Sequence, residues 1–208
     1  MTKTDVPQNA RDKKKSAHRG QLLDAAAEAI FQHGVRGATI KNIQQISGLS
    51  NGMINLHFKS KDNLLFAVAE ELYNSYEANW QNAFASEDES PISRLRAIIS
   101  ADFAKGVLNK RNMAIWFAFR AEVNSHPEYR ALVDSRNKPF RDSLIKICEE
   151  IIEEGQYQNA DAILAANAFV ALLEGMWTDF HLNPDQFDRQ KAVDACMYIA
   201  SGLFPKHF

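Results

Sequence analysis

The sequence predicts an all-α protein, and three features support that fold class. Apolar residues recur at helical spacing along the 208 residues, β-branched residues are scattered, and no segment alternates apolar and polar residues as a half-buried strand does. Glycine, proline and capping residues divide this pattern into about nine helices. Since 46% of the residues are hydrophobic, the chain can bury a substantial core.

Four of these helices are predicted in the N-terminal part of the chain. The first runs from about Ser16 to His33 and ends at Gly34, which can take the left-handed conformation that closes a helix. Its apolar face is formed by Leu22, Ala26, Ala29 and Ile30. The next three helices follow the capping residues Thr39, Ser50 and Ser60 and end near Ser47, His57 and Phe84, with Gly48 as the turn between the first two of them.

Five further helices are predicted after the segment SEDES, residues 86–90, which breaks the apolar pattern. Ser125-His126-Pro127-Glu128 has the spacing of a capping box, so we expect one uninterrupted helix of up to about 28 residues that ends before Gly155. The other four helices span about 91–107, 111–123, 159–182 and 188–203.

Charge is distributed unevenly, although the net charge is only −2. Residues 1–61 contain ten Lys and Arg against four Asp and Glu, a net charge of +6, which leaves −8 for residues 62–208. A basic end joined to an acidic body suits a protein that lays one end on phosphate. The alternative for the stretch from Arg11 to Arg19 alone is an ordinary solvated tail.

Residues 39–65 fit two short helices joined by a glycine turn, which is the arrangement of a helix-turn-helix. Such a motif needs apolar residues where the helices pack, a small residue where they approach closely and a turn residue that tolerates the left-handed conformation. Ser47 is the small residue and Gly48 the turn. The packing residues are Ile40, Ile43, Leu49, Ile54 and Phe58.

The second of these helices carries the side chains predicted to read bases. Asn51 and Asn55 lie one turn apart with Met53 beside them; asparagine can pair bidentately with adenine, and methionine can touch a thymine methyl group. Phosphate contacts are expected from the helix N-terminus and from neighbouring residues. These residues are Thr39, Lys41, Ser50, His57, Lys59 and Lys61. Taken singly, each of them also fits a simple cap or a solvated surface residue, and their joint spacing is what favours DNA reading.

This run resembles the N-terminal signature of the TetR family of transcriptional regulators. The match covers about the first third of the chain and rests on Thr39, Ile40, Ile43, Gly48, Ser50, Gly52, Phe58, Lys61, Leu64 and Leu65. The resemblance implies a DNA-binding domain over residues 1–61 and an effector-binding and dimerisation domain over residues 62–208. It also implies that Gly52 belongs to the DNA-binding surface. Gln44 and Ser47 stand where alanines are usual, and Asn55 and His57 where tyrosine is frequent. We therefore expect the base preference and one customary phosphate contact to differ from those of relatives.

Residues 115–144 and 172–182 resemble the branch of that family named after the choline-responsive repressor BetI. The resemblance implies a dimeric repressor that a small-molecule effector releases from a palindromic operator, with choline or a related onium compound as the candidate effector. Because a quaternary ammonium offers no N–H donor, aromatic faces and a carboxylate would hold it. The candidate residues are Trp116, Phe119, Tyr129, Glu174 and Trp177. Aromatic residues at this spacing also fit a simple core.

Two C-terminal helices are rich in small apolar residues, which allow helices to approach closely. They are Ala160, Ala162, Ala165, Ala166, Ala168 and Ala171 in one helix and Ala192, Ala195, Cys196, Ala200 and Gly202 in the last. We expect residues 159–182 and 188–203 to form a homodimer interface, as the resemblance also implies. Packing within one chain is the alternative.

Several other classes of protein are not indicated. None of the six histidines has metal-ligand spacing, no glycine-rich phosphate loop or nucleophile elbow occurs, and we expect neither catalysis nor a cofactor. Cys148 and Cys196 are expected to be buried, reduced thiols. A polar N-terminus and the lack of eighteen consecutive apolar residues predict a cytoplasmic protein without a membrane span. A regulator that senses another small molecule, or an all-α DNA-binding module without a ligand, remains the alternative function.

Overall fold

The computed structural model of the protein describes residues 8–85, 90–134 and 136–208. Across these residues there is no strand, and nine helices are eight residues or longer, which confirms the all-α prediction. They are α1 Gln8–Gly37, α2 Ile40–Ser47, α3 Asn51–Phe58, α4 Lys61–Phe84, α5 Pro91–Asp102, α6 Lys110–Glu122, α8 Lys138–Gly155, α9 Ala162–Leu182 and α10 Arg189–Leu203. A single turn, α7 Arg130–Val133, and two short 3-10 helices, Pro127–Tyr129 and Pro205–His207, complete the set.

The chain forms two compact units. The first unit comprises the residues up to Glu71 together with Ala114–Arg130, and the second comprises Leu72–Met113 together with Ala131–Phe208. Helices α4 and α6 each contribute residues to both units. The boundary at residue 61 drawn from the sequence stays a prediction.

The first unit is built around the apolar face of α1. Leu22, Ala26, Ala29 and Ile30 are buried as their spacing predicted, together with Ile43, Ile54, Leu64 and Leu65 from the next three helices. Burying each leucine or isoleucine stabilises the fold by about 1.5–3 kcal/mol. The Gln21 side chain of α1 donates a 2.7 Å hydrogen bond to the Ser47 carbonyl, which fixes the end of α2 against α1. From α6, Glu122 forms an ion pair at 2.8 Å with Arg36.

The second unit has an aromatic core where α4, α8 and α9 meet. Phe140 of α8, Phe169 and Trp177 of α9 are fully buried, and the Trp80 and Phe140 rings lie edge to face at 5.5 Å. The thiols of Cys148 and Cys196 are buried and unbridged, as predicted, and burial raises the pKa of each to about 12.

The predicted long helix before Gly155 is wrong, because the structure interrupts it between Val133 and Lys138. Asp134 accepts a hydrogen bond from the Arg136 N–H, and Asn137 caps α8 by accepting one from the Phe140 N–H. Pro139 then occupies the first turn of α8, a position that suits proline because no backbone donor is needed there. The predicted capping box at residues 125–128 opens only the short 3-10 turn.

Other helix boundaries differ less from their predicted positions. Helix α5 ends at Asp102 rather than near Val107, because the Arg189 guanidinium donates to the carbonyls of Phe103 and Leu108 at 2.8 and 2.6 Å and so stabilises a turn there. The first helix begins at Gln8, earlier than predicted, and its interior contains the predicted break at Gly34, where φ is +69°. Most of the predicted break at residues 86–90 lies outside the described residues.

By length and composition alone, α9 is a helix that can cross a membrane. The core helix of a soluble protein meets the same criterion, and seven residues of α9 are buried inside the second unit.

Candidate nucleic-acid interface and ligand site

The turn between α2 and α3 has the conformation that the sequence predicted. Thr39 caps α2 by accepting a hydrogen bond from the Asn42 N–H at 3.2 Å. Gly48 ends α2 in the left-handed conformation, with φ +68° and ψ 6°, and its N–H donates to the Gln44 carbonyl. Ser47 is buried, and its hydroxyl accepts a hydrogen bond from the Leu49 N–H. The turn is therefore held by local hydrogen bonds.

Helix α3 has a buried face and an exposed face. Ile54 and Phe58 are buried together with Ile43 of α2, whereas Ile40 and Leu49 are only half-buried. Asn51, Gly52 and Asn55 are exposed, and Met53 is half-buried. Ser50 occupies the cap position, but its hydroxyl accepts no helix N–H, so the predicted side-chain cap is not observed.

Sequence reasoning missed one residue on the exposed face of α3. Leu56 is 66% exposed beside Asn55, although a large apolar side chain gains about 2 kcal/mol when it is buried. The sequence does indicate this exposure, because Leu56 lies two residues from both Ile54 and Phe58 and is therefore not on the helical face that these two residues share.

The predicted basic residues lie around this helix pair. Lys41 and Lys59 are exposed, and Lys59 ends α3 with φ +69°, a conformation that non-glycine residues rarely adopt. The Lys61 ammonium is less exposed and lies 3.8 Å from an Asp62 carboxylate oxygen.

His57 lies among basic side chains of α1. Its ring is edge-on to that of His18 at 6.5 Å, and the neighbouring Phe58 ring has the Arg19 guanidinium at 5.1 Å. Burial, followed by the charges of His18, Lys15 and Arg19, lowers the pKa of His57 below its ordinary value. The His57 Nε2 atom is buried and has no hydrogen-bond partner.

The five aromatic and acidic residues predicted to bind an effector do not fall in one unit. Trp116, Phe119 and Tyr129 belong to the first unit and are buried, with the Phe119 and Tyr129 rings 4.7 Å apart. Burial is the main reason that the pKa of Tyr129 rises to about 12. Glu174 and Trp177 belong to the second unit.

Within the second unit, Trp177 forms an aromatic cage with Tyr76 and Phe140, and the Arg136 guanidinium fills it. The guanidinium carbon lies 4.7, 4.9 and 5.7 Å from the ring centroids of Trp177, Phe140 and Tyr76. Each distance is within the range of cation–π attraction. The cage thus consists of these three rings.

Two carboxylates contact the cation in the cage. Arg136 donates through both terminal nitrogens to the two Asp102 oxygens at 2.7 and 2.9 Å. The Tyr76 hydroxyl accepts a hydrogen bond from the Arg136 guanidinium and donates one to the Asp102 carboxylate. Glu174 places an oxygen 3.2 Å from the Arg136 Nε atom, an ion pair without hydrogen-bond geometry. Burial alone would lower the pKa of Arg136, but Asp102, Tyr76 and Glu174 raise it, so the guanidinium stays charged.

Sequence reasoning found two residues of this cluster, Glu174 and Trp177, and missed Tyr76, Asp102, Arg136 and Phe140. No pattern in the sequence links these positions, because they come from α4, α5, the 134–137 linker and α8. The one local signal was Asn137 followed by Pro139, which marks a helix start and therefore a non-helical Arg136.

Two protein families match different parts of the chain. Residues 22–68 match the family described as bacterial regulatory proteins, tetR family, and residues 91–205 match the family described as BetI-type transcriptional repressor, C-terminal. The chain belongs to the TetR family of transcriptional regulators, with a BetI-type C-terminal domain.

Individual relatives cover most of the chain. The transcriptional regulator BetI of Serratia proteamaculans is 32% identical over 176 residues, which are 84% of this chain and 86% of that protein. BetI of Pseudomonas aeruginosa PAO1 is 32% identical over 177 residues, 85% of this chain and 87% of that protein. TetR-family proteins of this kind are transcriptional regulators and not enzymes, which confirms that prediction.

Solved structures show the same TetR fold. A transcriptional regulator from Pseudomonas aeruginosa PAO1 superposes with a TM-score of 0.78 at 28% identity, covering 90% of each chain. A TetR regulator from Haloarcula marismortui gives a TM-score of 0.76 at 19% identity, covering 90% of this chain and 98% of its own. Regulators of this family bind operator DNA and small-molecule effectors and are usually dimers.

Proposed function

We propose that the protein is a homodimeric, cytoplasmic TetR-family repressor that binds a palindromic operator and is released by a small-molecule effector, with choline or a related onium compound as the candidate. The exposed face of α3 carries this proposal. Asn51 and Asn55 point to solvent on a helix whose opposite face is anchored by Ile54 and Phe58. An anchored helix with free amide side chains suits base reading in the major groove.

Each predicted DNA contact has a distinct part in this proposal. Asn51, Met53 and Asn55 read base edges, and Leu56 adds an apolar contact to a thymine methyl group. The backbone near Ser50 and Gly52 and the side chains of Thr39, Lys41, His57, Lys59 and Lys61 bind phosphates. In a dimer, two such surfaces enter successive major grooves about 34–36 Å apart.

Exposed apolar residues on α9 and α10 support a homodimer through these helices. Leu164 of α9 and Tyr198 of α10 are 68% and 78% exposed, and Ile163, Leu182, Ile199 and Leu203 are also exposed. Among the small residues, Ala165, Ala166, Ala192, Cys196 and Ala200 are buried within the chain, whereas Ala168, Ala171 and Gly202 are exposed. Covering the exposed apolar face by a second copy removes it from water.

For the effector, the cage of Tyr76, Phe140 and Trp177 with Asp102 and Glu174 has the chemistry that an onium ion needs. Helix α4 provides a route to the DNA-binding end, because it carries Tyr76 in the second unit and begins at Lys61 in the first. A regulator that senses another molecule is the second candidate, and the presence of Arg136 in the cage favours it.

Substitution of Asn55 and of Lys61 separates base reading from phosphate binding. Asn55→Ala is expected to lose about 1–3 kcal/mol of discrimination at one position of each half-site. Lys61→Ala is expected to weaken binding to all sequences alike and to reduce the salt slope by about 1. Selection from a randomised operator library and a salt titration measure the two effects. Lys138 is an exposed lysine of the second unit, and Lys138→Ala is the matched control that should change neither the base preference nor the salt slope. A sequence-selective loss of binding in Lys61→Ala would contradict the phosphate role of Lys61.

Operator affinity is expected to fall as the pH rises if His57 binds a phosphate. In the free protein the pKa of His57 is depressed, so its ring is neutral near pH 7. A nearby phosphate raises this pKa, so binding takes up a proton; the gain is full below the free pKa and is lost as the pH rises through the bound pKa. His57→Gln, which cannot titrate, should flatten the affinity measured between pH 5 and 8. An equal slope in the variant would exclude His57 as its source.

Charge placed on the exposed face of α9 or α10 is expected to disrupt the dimer. Leu164→Glu and Tyr198→Glu should each give monomers in sedimentation, because a buried unpaired carboxylate is costly. Operator affinity should then fall by about 10²–10⁴-fold through lost avidity. Phe31→Glu alters an exposed apolar residue of α1 and serves as the control. Dimers that persist in both α9 and α10 variants would locate the interface elsewhere.

Effector release is tested on the protein bound to its operator. Choline, betaine aldehyde, betaine and representative purines and pyrimidines are first screened by thermal shift, and the active compounds are titrated into the complex. The effector should reduce operator affinity by roughly 5–150-fold, the usual strength of allosteric coupling. Trp177→Phe keeps the ring volume largely filled and should reduce the response to an onium compound while operator binding without effector persists. A full response in this variant would remove Trp177 from the effector site.

A further inference from the structure

The cage in the second unit is completely closed around Arg136. The side chain of Arg136 is 2% exposed, and Trp177, Phe140 and Asp102 are fully buried. Three aromatic faces and a carboxylate around one cation are the groups that hold a small organic monocation. In this structure the monocation belongs to the chain itself.

The local charge balance favours a cation in the cage. Asp102 and Glu174 contribute two negative charges, and Arg136 contributes one positive charge. Removing the guanidinium without a replacement leaves the Asp102 carboxylate buried and uncompensated, which is strongly destabilising. Replacing it by another monocation conserves the charge, so an exchange avoids this cost.

Arg136 lies outside the helices. It belongs to the non-helical linker between α7 and α8, and its backbone is held by hydrogen bonds to Asp134 and Arg141. The next residue, Asn137, donates to the Tyr73 hydroxyl of α4 at 2.8 Å and caps α8. Arg136 is thus adjacent in the chain to a residue that contacts both α4 and α8.

We propose that Tyr76, Phe140, Trp177 and Asp102 form a binding site for a small organic monocation and that Arg136 is the internal competitor for this site. The ligand enters by taking the place of the guanidinium, which moves into solvent. This deepens the proposed effector response and rests on it for the regulatory outcome, whereas the binding site itself does not depend on it.

Competition makes a quantitative prediction. A ligand that binds only when Arg136 has left has its affinity reduced by the fraction of molecules in that state. For an open state populated at roughly 0.1–10%, removal of Arg136 should strengthen binding by about 10–1,000-fold. A purely structural ion pair predicts no competition, because the wild-type cage would never accept a ligand.

Tetramethylammonium is the probe, and binding is measured by calorimetry on the full-length protein without DNA. Wild type should bind weakly and saturably, and Arg136→Ala should bind about 10–1,000-fold more tightly. Uncharged tert-butanol, similar in size, should bind neither form. In NMR spectra of the wild type, the probe should also move the Arg136 Nε–H signal to the position of a solvated guanidinium. The Arg136 signal is assigned as the one that disappears in Arg136→Lys.

Equal affinity of wild type and Arg136→Ala, or an Arg136 signal that saturating probe leaves unchanged, would overturn the proposal. If Arg136→Ala does not fold, Arg136→Lys keeps the charge on a shorter reach and should still bind the probe more tightly than wild type; no gain there would also overturn it. Asp102→Asn should weaken binding of the probe in either background, and undiminished binding would place the probe elsewhere and refute the site.

The outcomes separate this proposal from the proposed function. If tetramethylammonium displaces Arg136 but no onium compound alters operator binding, the cation site stands and the onium-responsive repressor fails. If another effector releases the operator while no variant binds the cation, the repressor stands and the cation site fails.

Discussion

The second unit depends on one interaction, the buried ion pair between Arg136 and Asp102. It joins the end of α5 to the 134–137 linker, and the surrounding rings bring in α4, α8 and α9. Burying two charges costs several kcal/mol per ion before they attract each other. The bidentate geometry, the Tyr76 hydroxyl and three aromatic faces offset that cost, and they require every one of these elements to be in place.

The DNA-binding helices could be predicted closely because their signals are local. Thr39, Gly48 and Ser60 each act within four residues along the chain, so α2, α3 and α4 begin and end within one residue of expectation. The ion pair connects residues 34 positions apart, and no spacing in the sequence indicates it. The predicted helix before Gly155 was wrong because apolar periodicity continues across the interruption, where Asn137 caps α8 and Pro139 occupies its first turn.

Residue type also failed to say which side of a helix faces solvent. Small apolar residues in α9 and α10 lie on both faces, with Ala166 and Ala200 buried and Ala168 and Gly202 exposed. The same holds for the aromatic residues, whose type does not tell where they lie. Trp177 belongs to the cage, whereas Phe119 packs against Tyr129 in the core of the first unit. Helical spacing selects a face, but only the tertiary structure determines what covers it.

The two candidate sites differ in whether their charges are satisfied. His57 lies among Lys15, His18 and Arg19, and its buried Nε2 atom has no hydrogen-bond partner, so this cluster carries positive charge that a bound anion would offset. The cage already has its cation, so a ligand there gains only the difference between its own contacts and those of Arg136. In the proposed mechanism, operator binding adds interactions, whereas effector binding exchanges one set of contacts for another. Under the proposed exchange, an effector therefore binds more weakly than its own contacts alone would give.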